Sequence, residues 1–314
     1  VAQLDLHLIA QRPHHQAHLA PVAQLVGDWT PRRAGPDSVA LVASYGDLAY
    51  ARRRGYRRIV LMQHGAGQSY GGDRRTAHHP AYPGGDDNDD VGLFIVPNQH
   101  AADRWRERYP AARVEVAGCP RLAVLPRRAG SLGIEAAAVR EPTVAVSFHW
   151  NYHGIPEMRS AFDWYRGGLA ELARQYHVIG HAHPKRRDLA AWYPAHGIEY
   201  VADFDEVLRR ADVYVCDNSS SMFEFATTGR PVVVLSAPWY RRGIQHGLRF
   251  WEASGVGVGC EQPAELGAAV QAALEDGWVS RRARELALDR VYHGWRRPGA
   301  AVGLAAGAIL GWAA

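Results

Sequence analysis

Short apolar runs rich in Val, Ile and Leu alternate with amphipathic stretches along the whole chain. In the first half, Leu4–Ile9, Val39–Ala43, Ile59–Met62, Leu93–Val96 and Val114–Ala117 read as strands, separated by helices near His18–Val26, Gly46–Arg54 and His100–Arg108. After a break the alternation resumes. Strands are expected at Val144–Phe148, Val178–Ile179, Glu199–Val201, Val213–Cys216 and Val232–Leu235, with helices near Met158–Gln175, Phe204–Ala211, Ser220–Thr228 and Ala264–Leu274. Nearly continuous apolar strands joined by amphipathic helices indicate an α/β fold whose parallel sheets are covered on both faces.

The break, PRLAVLPRRAGSLGIEAAAVREPT at residues 120–143, holds three prolines and two glycines and reads as an interdomain linker. The expected organisation is a first domain over 1–125, a linker over 126–142, a second domain over 143–290, and a terminal helix over 291–314 packing back on the first domain. A length of 314 residues suits two domains of about 150 each. In open parallel sheets, ligands bind beyond the C-terminal strand ends. With two such domains, the expected site is a cleft where those ends face each other.

Composition narrows the class. Hydrophobic residues are 47% and charged residues 22%, as in a packed soluble protein. No apolar run reaches the roughly 18 to 20 residues of a membrane helix. The C-terminal AAVGLAAGAILGWAA is expected to dock as a helix rather than to span a membrane, and the N-terminus shows no basic region of a signal peptide. Cys119, Cys216 and Cys260 are far apart with no CxxC, which argues against a disulfide framework or a zinc site and points to the cytoplasm. A net charge of +4 admits nucleic acid, anionic lipid or nucleotide as partner and selects none.

The candidate chemistry follows strands. In YVCDNSSSMFEFATTGRPVVVL (residues 214–235) a strand runs into Asp217, Asn218, Ser219, Ser220 and Ser221, then a helix carrying Glu224. With the helix starting near Ser220, unpaired N–H groups and hydroxyls would suit a phosphate, and Glu224 a ribose. An ordinary cap by Asn218 or Ser219 is the plainer alternative. VIGHAHPKRRD places His181, His183 and Lys185 after Val178–Ile179, and VAVSFHWNYHG places His149 after Val144–Phe148. Such donors could neutralise a diphosphate without a metal; local backbone satisfaction of His181 and His183 is the alternative. Ile59–Met62 leads into QHGAGQSYGGD, where Gly65 and Gly67 allow a tight turn and His64 is placed like a general base. His14 and His15, after the first strand, are assigned to an acceptor rim.

Other patterns are set aside. Neither GxxxxGK[ST], GxGxxG nor GxSxG occurs. The His/Asp-rich HHPAYPGGDDNDD (78–90) reads as a solvated insert or an acceptor lid rather than a metal site, and Cys119 lacks a neighbouring base in sequence.

CDNSSSMFEFATTGRPVVVL resembles the C-terminal motif of the CDP-glycerol glycerophosphotransferases of teichoic acid synthesis, QHGAGQSY their HG motif and HAHPK their HP motif, in the same order. A more distant likeness, at Ser219, Ser220 and Glu224, is to the UDP-N-acetylglucosamine 2-epimerases. The resemblance implies a GT-B architecture, two Rossmann-like domains with parallel sheets facing across a cleft. It also implies His64 as base, His183, Ser219 and Ser220 on the donor diphosphate and Glu224 on the ribose. The teichoic enzymes follow HG with Thr-Pro-Leu-Lys, whereas this chain has Ala-Gly-Gln-Ser, so nucleotide-diphosphate use is implied and glycerol is not.

The expectation is therefore a metal-independent transferase without a cofactor. It would move a glycosyl or glycerophosphoryl group from a nucleotide-activated donor to a hydroxyl on a wall polymer, protein, metabolite or modified DNA base. A non-catalytic nucleotide-sugar or nucleic-acid binding protein, or a nucleotide-sugar epimerase, are the competing readings.

Overall fold

The computed structural model describes residues 4–27, 34–66, 88–126, 141–151, 159–240 and 254–314. Among these, residues up to Val124 and from Asp289 onward cluster into one compact unit, and those from Leu125 to Leu288 into a second. Gly67, residues 78–87 and the linker positions 127–140 lie outside the described residues.

The first unit holds strands β1 (Leu6–Ile9), β2 (Val39–Val42), β3 (Arg58–Met62), β4 (Val91–Val96) and β5 (Arg113–Val116), all parallel and side by side in chain order. Between them run α1 (Pro13–Val26), α2 (Tyr45–Arg53) and α3 (Gln99–Arg108). Each strand is apolar at successive positions because both faces of the sheet are covered. Leu6, Val39, Leu41 and Val60 join one core with Leu19 and Val22 of α1, while Ala40, Val42, Leu61 and Phe94 join the other with Leu48 of α2 and Trp105 of α3. Trp105 stacks on Phe94 at 4.4 Å between ring centres.

The second unit is a six-stranded parallel sheet in the order β11-β10-β9-β6-β7-β8. Its strands are β6 (Thr143–Phe148), β7 (His177–Ala182), β8 (Glu199–Tyr200), β9 (Val213–Cys216), β10 (Val232–Leu235) and β11 (Val258–Cys260). Its helices are α4 (Phe162–Gln175), α5 (Arg187–Ala195), α6 (Phe204–Arg210), α7 (Ser221–Ala226) and α8 (Leu266–Glu275). Tyr193 of α5 lies flat on β7, where a Cβ at Gly180 would come within 2.4 Å of its ring. Its hydroxyl donates to His181 O at 3.1 Å, pinning the end of that strand.

Helix α9 (Trp278–Val291) carries the chain from the second unit to α10 (Pro298–Ala313). α10 lays Ala305, Ala306 and Ile309 into the first unit's core beside Leu19 and Ile95. Trp312 occupies the space over Gly92 on β4, where a Cβ would approach within 2.4 Å. No helix among the described residues is long and apolar enough to cross a membrane.

Candidate active site

In the second unit, β7 and β8 lie on one side of β6, and β9, which follows them in the chain, lies on the other. Ligands of open parallel sheets sit beyond the C-terminal strand ends at such a reversal. The register brings the expected residues to it. Ser147 is opposite both His181 of β7 and Cys216 of β9, and Phe148 is opposite Ala182, so the chain leaves three adjacent strands at His149, His183 and Asp217.

Asp217 organises this end. It is wholly buried and accepts from His149 N at 2.7 Å, Ala161 N at 3.0 Å and Ser160 Oγ at 3.3 Å. Burial pushes its carboxyl up to about 6, against these hydrogen bonds and the nearby charge of Arg186. Asn218 is buried beside it. Asp217 thus ties the ends of β6 and β9 to the start of α4.

The serines depart from a simple cap. α7 starts at Ser221, and Ser220, in the cap position, has helical backbone (φ −64°, ψ −18°) and makes no side-chain cap bond. Ser219 Oγ reaches Ser221 N only at 3.4 Å. The hydroxyls of Ser219, Ser221 and Tyr214 form a chain instead, at 2.7 and 2.8 Å. α7 spans only six residues, so hydroxyls rather than a helix macrodipole are what this junction offers an anion. Glu224 is buried in the first turn of α7.

The histidines divide by tautomer. His181 lies within β7, which runs to Ala182 rather than stopping at Ile179. Its Nδ1 donates to Val201 O at 2.9 Å, its ring is buried near Phe204, and burial lowers its pKa. Such a backbone-tied ring, kept neutral by burial, brings no positive charge to a phosphate. His149 Nδ1 likewise donates to the Trp150 carbonyl at 3.1 Å. His183 is the reverse case: its Nδ1 accepts Lys185 N–H at 3.1 Å, so Nε2 carries the hydrogen and is a donor. The His183 and His149 rings are 5.1 Å apart, and Lys185 Nζ sits 3.5 Å from the centre of the Trp150 ring. Arg186, not foreseen from the sequence, donates to His149 O at 3.4 Å.

In the first unit, β1, β2 and β3 pair so that Ile9 faces Val42 and Val42 faces Leu61. Their C-terminal continuations therefore emerge together. α1 begins at Pro13 and not near His18, because proline at the first helical position needs no N–H partner. His14 and His15 consequently stand on a helical turn, with His18 one turn on. Around His64 gather His15 at 4.7 Å, His18 at 5.9 Å and His14 at 6.1 Å between ring centres.

His64 Nδ1 donates to Ala43 O at 2.7 Å, which puts the lone pair of the neutral ring on Nε2. Gly65 turns the chain immediately afterwards with φ +74°. Burial, then the neighbouring His15, lower the His64 pKa to about 4, against the Ala43 bond and the Asp47 charge. Burial also takes His14 to about 3 and His18 well below the usual imidazole value. Asp47 and His18 were not foreseen; the Ser44-x-x-Asp47 capping spacing was visible, since Ser44 Oγ accepts Asp47 N–H at 3.2 Å. No group of three or more His, Cys, Asp or Glu among the described residues is arranged to hold a metal. Cys119, Cys216 and Cys260 form no disulfide and are buried.

No curated protein matches the sequence. Among solved structures, MnaA of S. aureus in a co-structure with UDP superposes with a TM-score of 0.60 at 13% identity, covering 95% of this chain and 93% of that one. A Listeria monocytogenes structure assigned as a UDP-N-acetylglucosamine 2-epimerase gives 0.59 at 13% identity, covering 95% and 93%. A variant of the wall teichoic acid polymerase TagF with CDPG gives 0.57 at 14% identity, covering 88% and 72%. At such identities the likeness is one of fold, GT-B. The family model described as CDP-Glycerol:Poly(glycerophosphate) glycerophosphotransferase matches residues 39–294, which take in His64, His183, the serines and Glu224. The chain belongs to this family of transferases.

Proposed function

We propose that the chain transfers a glycerophosphoryl or glycosyl group from a nucleotide-diphosphate donor to an acceptor hydroxyl, with His64 as general base. The observation that carries this reading is the pair of opposite tautomers: His64 presents a lone pair on Nε2, His183 a hydrogen on Nε2. The first suits an incoming hydroxyl, the second a phosphate oxygen. His64 takes the proton as the acceptor oxygen attacks the β-phosphorus of a CDP-glycerol-type donor, releasing the nucleoside monophosphate. With a nucleotide sugar, the attack falls on the anomeric carbon and the diphosphate leaves.

His183, Lys185 and the hydroxyls of Ser219, Ser220 and Ser221 would hold the donor's phosphates, with His149 against them and Glu224 on the ribose. His14 and His15 would line the acceptor side. Positive charge and hydrogen bonds aimed at the leaving group lower its cost of departure. Family membership favours CDP-glycerol as donor.

The test is a melting-temperature screen against CDP, UDP, GDP, CDP-glycerol and nucleotide sugars, followed by release of CMP from CDP-glycerol. A bound donor raises the melting temperature by mass action. CDP-glycerol as the best ligand, with CMP released, supports glycerophosphoryl transfer, and a nucleotide sugar as the best ligand supports glycosyl transfer. Stabilisation by no nucleotide would overturn the reading.

A further inference from the structure

Asp47, in the first turn of α2, is wholly buried. Its carboxylate accepts Gln11 N–H at 2.8 Å and Ser44 Oγ–H at 2.8 Å, and lies 2.7 Å from His15 Nδ1. The contact is off the line of a full hydrogen bond, but a bare ring lone pair would repel a carboxylate at this separation, so the tautomer that fits is the one with hydrogen on Nδ1 of His15. Three separate segments thus converge on one buried carboxylate: the turn after β1, the first turn of α1 and the cap of α2. The His15 ring in turn lies 4.7 Å from that of His64. A buried carboxylate is a costly way to tie segments together, because an ion must be taken out of water. Its charge therefore calls for a second reason.

We propose that Asp47 and His15 are a positioning couple for His64. Asp47 fixes the tautomer and orientation of His15, the His15 ring holds that of His64, and the buried negative charge compensates the positive charge His64 gains with the acceptor's proton. The inference rests on His64 being the base. Asp47 takes no proton; it passes from the acceptor oxygen to His64 Nε2 and later to water. Two electrostatic effects agree. Burial raises the Asp47 carboxyl, but bonds from His15, the Gln11 N–H and Ser44 more than reverse this and keep it ionised, and its charge draws the His64 pKa upward.

The test compares D47N, H15Q, the double variant and H64N. In D47N one oxygen becomes an amide. The Gln11 N–H needs the remaining oxygen, so the amide faces His15 and drives its proton from Nδ1 to Nε2. Long-range proton–nitrogen spectra of the histidine rings of the full chain read that change directly, without turnover. With CDP-glycerol as donor and CMP release as signal, D47N and H15Q each lower kcat about 10- to 100-fold, the range for loss of a partner that orients a histidine. KM for the donor stays unchanged, the circular dichroism spectrum is retained, and the double variant loses no more than either single one.

Wild-type kcat in D47N and H15Q with H64N inactive would overturn the positioning couple and leave His64 as base. Wild-type turnover in H64N would overturn both. A His15 ring that keeps its Nδ1 hydrogen in D47N, with His64 resonances unmoved, would sink the couple whatever the turnover.

Discussion

Asp217, just beyond β9, accepts the backbone N–H of His149, just beyond β6, at 2.7 Å, and so staples together the strand ends on the two sides of the sheet's reversal. The carboxyl titrates near 6 because burial opposes its charge. Between its unfolded value of about 4 and this folded value, the folded chain holds the proton while the unfolded chain has lost it. Raising the pH across that window therefore destabilises the fold, by at most about 3 kcal/mol for a shift of about two pH units. Denaturant titrations of wild type and Asp217→Asn from pH 4 to pH 7 isolate the contribution. The wild type should lose stability relative to the variant as pH rises to about 6 and then level off; parallel curves would show that Asp217 is not the titrating group.

The proposed base, His64, should leave a signature in the pH profile of transfer. With its pKa lowered to about 4, His64 is neutral throughout the neutral range. It becomes protonated, and loses its Nε2 lone pair, only as pH falls toward that value. The acidic limb of kcat for CMP release should accordingly lie well below the ordinary imidazole value of about 6.5. His64→Asn should lose about 10²- to 10⁴-fold in kcat and retain the donor's effect on melting temperature. An acidic limb at 6.5 that persists in His64→Asn would assign the base to another group.

Much of this arrangement was legible because parallel sheets advertise themselves. Runs such as Val39–Val42 and Val213–Cys216 are buried on both faces and leave little room for another reading. The three-residue β11 was missed because Gly257 and Gly259 interrupt its apolar signal, and α5 because Pro194 sits in its last turn. α9 opens on exposed Trp278 and Val279, which blur the helical period. The candidate residues were visible wherever they follow a strand directly, as His64 and Ser219 do. The Asp47–His15 pair was not, since only the pairing of β1 with β2, Ile9 opposite Val42, brings residues so distant in sequence together.

The serine junction separates a cap from a ligand contact. Ser220 occupies the cap position without a cap bond, so Ser220→Ala should cost well under the ~1 kcal/mol typical of a lost cap. Ser219 Oγ instead bonds Ser221 Oγ, and Ser219→Ala should cost about 0.5–1.5 kcal/mol. Measured side by side, Ser220→Ala should leave the melting temperature of the bare protein unchanged and diminish its rise with CDP-glycerol. An undiminished rise would remove Ser220 from the donor site.

The turn after the proposed base makes the sharpest backbone prediction. Gly65 has φ +74°, a left-handed conformation that an L side chain adopts at a cost of about 1–2 kcal/mol. Gly55, at the end of α2, has φ +87° with open space where a Cβ would go. Gly55→Ala and Gly65→Ala should therefore lose similar stability in denaturant titration, since each meets the same conformational penalty. Only Gly65→Ala should lose turnover, because relaxing that turn swings His64 away from Ala43 O and releases Nδ1, so that the ring no longer keeps its lone pair on Nε2. Equal turnover in the two variants would mean that the Ala43 bond, rather than the turn, holds the imidazole in place. Mutation of the turn would then cost stability without moving His64 off the Ala43 carbonyl.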